Sequence, residues 1–99
     1  MALPIYSKRA ETDLLEIWLY LSQRSFDAAD RTVAQVRQRC DMLADHPGFG
    51  ELRPEIGPTV RVFSAGEYAI FFRPHANSIG IMRIVHGSRD WSSFDWDVL

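Results

Sequence analysis

The stretch "RIVHGSRD", residues 83–90, closes the most apolar part of the chain with two arginines, a histidine and an aspartate. These residue types can do phosphoryl chemistry. His86 would serve as general acid or base, and Arg61 and Arg83 would stabilise the charge that builds on a phosphate during RNA cleavage. The spacing weighs against that reading. In a regular strand Arg83 and His86 point to opposite faces, so only a bulge or a strand end unites them. The simpler expectation is that Arg83 pairs with an acidic side chain such as Glu67 or Asp90 while His86 hydrogen-bonds at the strand end, since structural ion pairs produce such constellations too.

Other chemistries have less support. His46, His75 and His86 lack the spacings that gather metal ligands on one element, and Cys40 and His46 fall on different sides of a helix, so neither metal nor other cofactor is expected. No glycine-rich phosphate loop follows a strand, and no serine or cysteine sits in a nucleophile-elbow pattern. The lone Cys40 excludes an internal disulfide and reads as a buried thiol in a reducing cytoplasm.

The elements that must position these residues belong to one domain spanning 1–99, long enough to close a core without metal or disulfide. With 46% hydrophobic and 24% charged residues the chain should fold. A net charge of -2 supplies no overall field for nucleic acid, so no direct, specific nucleic-acid binding by this chain alone is expected. Of 11 basic residues only Lys8 is lysine, a bias toward fork-shaped donors that suit carboxylates and phosphates alike. The amino terminus lacks a signal-length apolar run and nothing later approaches a membrane span, which predicts a cytoplasmic protein with no membrane partner.

"ALPIY" predicts a short strand over 2–6, after which Ser7 caps a helix over 8–24. Ala10, Leu14, Ile17, Trp18 and Leu21 form one stripe on it, which Leu15 and Leu19 widen. Ser25 or Asp27 caps a second helix, carrying Ala29, Val33, Val36, Cys40 and Leu43 inward until "HPG" at 46–48 stops it. So short a link makes an antiparallel hairpin. Residues 47–59 are too rich in Pro and Gly for a regular element and predict a loop. Strands follow over 60–64, 67–73 and 79–86, with "SAGE" and "PHANS" as hairpin turns.

Alternation puts Ile79, Ile81 and Val85 on one face and Met82 and Ile84 on the other, as Tyr68, Ile70 and Phe72 oppose Ala69 and Phe71. Two helices cover one face of a four-stranded sheet. Some of the second apolar face should therefore stay open for a partner. The tail "DWSSFDWDVL" mixes Trp91, Phe94 and Trp96 with Asp90, Asp95 and Asp97. Its rings either complete the core or anchor a protein interface, and its acidity suits a phosphate backbone poorly.

Strand, helical hairpin, loop and meander, with "SKRAETDLLEIWLYL", "LADHPGFG", "VRVF", "YAIFFR" and "IMRIVHGSRD" in that order, resemble the ParE branch of the RelE/ParE toxin superfamily over nearly the whole chain. The resemblance implies an α+β, RelE/ParE-like fold: an N-terminal strand and a two-helix antiparallel hairpin packed on one face of an antiparallel β-sheet. It also implies the toxin of a type II toxin–antitoxin system, not an enzyme, which inhibits DNA gyrase and is neutralised by a cognate ParD-like antitoxin in a hetero-oligomer. Antitoxin contacts are expected at Leu15, Leu19, Phe71 and Met82, and target contacts at Arg83, His86, Arg89 and Trp91. RelE-like relatives on the same fold are ribosome-dependent mRNA endonucleases. For that alternative Arg61, Arg83 and His86 are the candidate catalytic residues, with Glu51 or Glu55 as a matching acid. The scarcity of lysine and the lack of a tyrosine after Tyr68 favour the first reading. A third is an inactive relative that keeps only antitoxin binding.

Overall fold

The computed structural model describes residues 2–94 and 96, so Asp95 and Asp97 of the tail lie outside the described residues. Strand β1 (Ile5–Tyr6) leads into helix α1 (Lys8–Ser22), and α2 (Phe26–Asp45) follows after a short turn. Both helices start where a serine supplies the missing acceptor. Ser7 accepts from Ala10 N–H at 2.9 Å and Ser25 from Ala28 N–H at 3.1 Å. A 3-10 turn at Pro47–Phe49 and a two-residue strand β2 (Glu51–Leu52) occupy part of the segment predicted as loop. Strands β3 (Arg61–Ala65), β4 (Tyr68–His75) and β5 (Ser78–His86) form the meander.

The sheet has five strands in the order β1-β5-β4-β3-β2, and it is mixed because β1 runs parallel to β5. The helical hairpin covers one face. Ala10, Leu14, Val36, Cys40 and Leu43 pack there on Ile70, Phe72, Ile79, Ile81 and Ile84. The loop before β2 approaches so closely that a Cβ at Gly50 would fall 2.6 Å from Phe72 Cζ, which is why glycine stands there.

One bulge revises the predicted alternation. Phe71 pairs with Arg83 while Phe72 pairs with Ile81, so Met82 is the extra residue. Beyond it the parity of β5 reverses. Ile84 packs under the helices, and Val85 joins Met82, Phe71, Ala69, Val60 and Val62 on the opposite face. Some of that second face was expected to stay open. Instead Ile56, Trp91, Phe94 and Trp96 of the same chain pack over it, so among the two readings of the tail's rings the core-completing one holds for the described residues.

Candidate partner-binding surface

β1 covers only the first part of β5, pairing at Gly80 and Ile81, so the next residues of β5 form a strand edge. Side chains from the chain's start satisfy it. Ser7 N–H donates to Ile81 O at 3.0 Å, and the Ser7 hydroxyl donates to Met82 O at 2.9 Å. Asp13 Oδ2 then accepts from Ile84 N–H at 2.9 Å. Both Asp13 oxygens also grip Arg83, Oδ2 with Nε at 2.9 Å and Oδ1 with Nη2 at 3.1 Å. This is a bidentate pair with both members buried. Arg9 adds a third cationic contact at 3.5 Å. The acidic partner of Arg83 is therefore Asp13 on α1, in place of the expected Glu67 or Asp90. The signal for it was present, because position 13 lies on the buried stripe of Ala10, Leu14 and Ile17, where a carboxylate needs a buried donor.

Around this brace lies a cleft of about 330 Å³, lined among others by Glu16, Tyr20, Tyr68, His86 and Arg89. His86 Nδ1 lies 2.7 Å from the Ser88 hydroxyl and accepts from Ser88 N–H at 3.2 Å. Its ring meets Tyr68 edge-on, with centroids 5.6 Å apart. Burial, then the nearby Glu67 carboxylate and Tyr20, raise the Tyr68 hydroxyl above its ordinary pKa, so it stays protonated as a donor at neutral pH. Arg89 lies over the Phe94 ring at 5.1 Å, and Arg83 lies over the same ring at 4.6 Å. Tyr20 and Tyr68 are cleft residues that sequence reasoning missed, since neither stands in a chemical motif.

The nuclease set is not assembled. Arg61 pairs across the sheet with Phe72 and His86 with Tyr68, four positions apart on β4, or about 13 Å along the strand at ~3.3 Å per residue. Arg61 Nη1 donates to Gly50 O at 2.7 Å, tying down the loop, and Arg83 is taken up by Asp13. Glu51 and Glu55 flank Arg53 at 3.8 and 3.9 Å. Among the described residues no group of three metal-ligating side chains occurs.

The α1 expectation stands differently from the sheet expectation. Leu15 and Leu19 are 57% and 51% exposed on one helical stripe, beside Trp18, whose ring stacks on the exposed Phe26 at 5.8 Å. Trp18 Nε1 donates to Asp30 at 2.8 Å, fixing that ring across the hairpin. A shallow groove lined by Glu11, Leu15, Trp18, Val33 and Arg37 runs alongside. Phe71 and Met82, by contrast, are 0% and 1% exposed. They lie beneath the tail's rings and offer no contact surface in this conformation, a correction that follows from the covered second face. Trp91 is half-buried, edge-on to Phe71 at 4.9 Å, and so belongs to that cover. Arg83, His86 and Arg89 do share the cleft, with Arg83 acting as its brace.

Fold and surface together define a small α+β domain with a braced strand edge, an exposed apolar stripe on its hairpin and a cationic, aromatic cleft at the end of its sheet. Residues 5–91 match the family model described as "ParE toxin of type II toxin-antitoxin system, parDE", and the chain belongs to that family. It is 30% identical over 83 residues to Toxin ParE1 of Caulobacter vibrioides, covering 83% of this chain and 85% of that protein. Toxin RelE3 of the same organism is 30% identical over 79 residues, covering 79% and 86%. Among solved structures, the chromosomal ParDE toxin–antitoxin system from P. aeruginosa shares the fold, with a TM-score of 0.71, 24% identity and coverage of 87% of this chain and 96% of that one. The chain is thus a type II toxin–antitoxin toxin of the ParE family. No helix among the described residues is long and apolar enough to cross a membrane.

Proposed function

We propose that this toxin inhibits DNA gyrase by binding, and that a ParD-like antitoxin neutralises it by covering the outer stripe of α1. The observation that carries the antitoxin half is the pair Leu15 and Leu19, side by side and half exposed, next to a rigidly held Trp18. Large apolar side chains in one patch, with a groove beside them that mixes apolar residues with the Glu11–Arg37 pair, suit a partner helix or extended segment. The similarity to Toxin ParE1, and the ParDE system with the same fold, support the same reading. The target half rests on His86 and Arg89, which present an imidazole ring and a guanidinium at the cleft while the brace behind them is fixed. Expression of the toxin without antitoxin should arrest growth, and co-expression of a ParD-like antitoxin should restore it. Normal growth with abundant folded toxin would favour the inactive relative.

One observation favours a second reading. Toxin RelE3 is as similar by identity as Toxin ParE1. A ribosome-dependent nuclease would bring Arg61 and His86 to one phosphate, and here their strand positions and hydrogen bonds hold them apart. Cleavage of mRNA on ribosomes by purified toxin, abolished in His86→Ala and Arg61→Ala, would establish the nuclease in place of the gyrase inhibitor.

A further inference from the structure

We infer that Phe94 is a positioning residue for the target-binding arginine: one ring carries both the buried Arg83 guanidinium and that of Arg89, so the Asp13–Arg83 brace sets where Arg89 presents its charge. The inference rests on the target role proposed for Arg89. Arg83 Cζ lies 4.6 Å from the centre of the Phe94 ring and Arg89 Cζ lies 5.1 Å from it. Both distances fall within the range over which the negative face of an aromatic ring attracts a cation.

The two arginines reach the ring from different footings. Arg83 is buried and held at two points by Asp13, at 2.9 and 3.1 Å. Its charge is neutralised there, which lets a second guanidinium approach the same ring without strong repulsion. Phe94 is seated as well. It packs against the second-face cluster, its N–H donates to Trp91 O at 3.2 Å, and its ring meets that of Trp96 at 5.9 Å.

Arg89 stands in the exposed turn after β5, where its N–H donates to His86 O at 3.0 Å. It lines the target cleft with His86 and also borders a hollow lined by Glu55 and Asp90. Those carboxylates are engaged elsewhere: Asp90 Oδ1 accepts from the Ser92 N–H and hydroxyl, and Glu55 lies 3.9 Å from Arg53. The Phe94 ring is the fixed surface on which the Arg89 head group rests. An exposed arginine has many rotamers, and ordering it on binding costs affinity. A ring that holds it beforehand removes part of that cost. Leucine at position 94 would fill the same apolar seat and offer no ring face, which makes the role measurable.

The test uses the full chain in a supercoiling assay and by NMR. In the wild type the Arg89 side-chain protons should be shifted upfield by the Phe94 ring, a signal identified by its loss in Arg89→Ala. Phe94→Leu should keep the urea midpoint, lose that shift and inhibit gyrase about threefold to tenfold less. Phe94→Tyr should retain both shift and inhibition. In an Arg89→Ala background Phe94→Leu should change nothing further. Phe94→Met serves where Phe94→Leu does not fold. Full inhibition by Phe94→Leu while Arg89→Ala is impaired would overturn the inference and leave the role of Arg89 standing. An equal loss from Phe94→Leu with and without Arg89 would overturn it too, since the ring would then act by packing alone. If the wild-type toxin leaves gyrase untouched, the gyrase reading falls, and the same set of variants scored on growth arrest decides the inference in the same way.

Discussion

Asp13 and Arg83, 70 positions apart in sequence, form a two-bond ion pair in the protein interior, and the same carboxylate caps the Ile84 N–H on the free edge of β5. Three donors therefore converge on one buried carboxylate, with Arg9 at its rim. The arrangement fixes α1 against the sheet and prevents another strand from pairing at that edge. It also assigns Arg83 a structural role, which separates it from His86 and Arg89 in the same motif.

Removing one member of a buried pair leaves the other charged and unpaired, a loss of about 3–5 kcal/mol. Asp13→Ala should lower stability by that order in urea unfolding, and Arg83→Ala should do much the same. The double replacement Asp13→Leu with Arg83→Met should be milder than the sum of the two. A cost under about 1 kcal/mol for Asp13→Ala would mean that the pair does not hold α1 in place.

Leu15→Ser and Leu19→Ser lie on an exposed stripe, so each should change stability by no more than about 0.5 kcal/mol. Together they should weaken the antitoxin complex at least tenfold by isothermal titration. An unchanged affinity in a folded double variant would remove α1 from the interface.

Ser7 closes three bonds at once: its hydroxyl caps α1 and meets Met82 O, and its N–H meets Ile81 O. Ser7→Ala retains only the last of these. It should cost about 1–2 kcal/mol, with the loss of protection from hydrogen exchange concentrated in the first turn of α1. A uniform loss of protection across the chain would contradict this local account.

Burial pushes the Cys40 thiol up to about 11 from an ordinary 9.0; the Tyr6 hydrogen bond opposes that, Asp41 adds to it and Arg37 opposes it. Tyr6 is raised as well, chiefly by its own burial. The folded state therefore holds the neutral thiol, while the unfolded chain ionises first. Stability from this site is fully present below pH ~9 and is lost as pH rises from there through ~11, by at most about 3 kcal/mol. Urea midpoints should fall over that window, and Cys40→Ala should fall less steeply. Equal slopes in both proteins would place the alkaline sensitivity elsewhere.

Where the sequence pattern was long, it was legible. The two helices, with serine caps at Ser7 and Ser25 and stripes through Leu14 and Val36, stand within a residue or two of their predicted bounds, and the three long strands do too. What could not be read depends on partners distant in sequence. β2 has two residues in a Pro- and Gly-rich segment and exists because Glu51 and Leu52 meet β3. The bulge at Met82 leaves no mark in composition, yet it exchanges the faces of Ile84 and Val85. The apolar second face was evident and the tail's rings had core completion as one of two readings, but only the fold shows that Trp91, Phe94 and Trp96 of the same chain lie on it. The stripe holding Asp13 was visible, whereas its partner across 70 residues was not.

The proposed function has the toxin act on gyrase through the surface at the end of β5, without cleaving RNA. The most direct measurement is a gyrase supercoiling assay with purified toxin, scoring lost supercoiling and accumulated cleaved plasmid, with antitoxin added back. The expected result is inhibition that the antitoxin reverses, and loss of inhibition in folded His86→Ala and Arg89→Ala. Full gyrase activity in the presence of folded toxin that still arrests growth would contradict it.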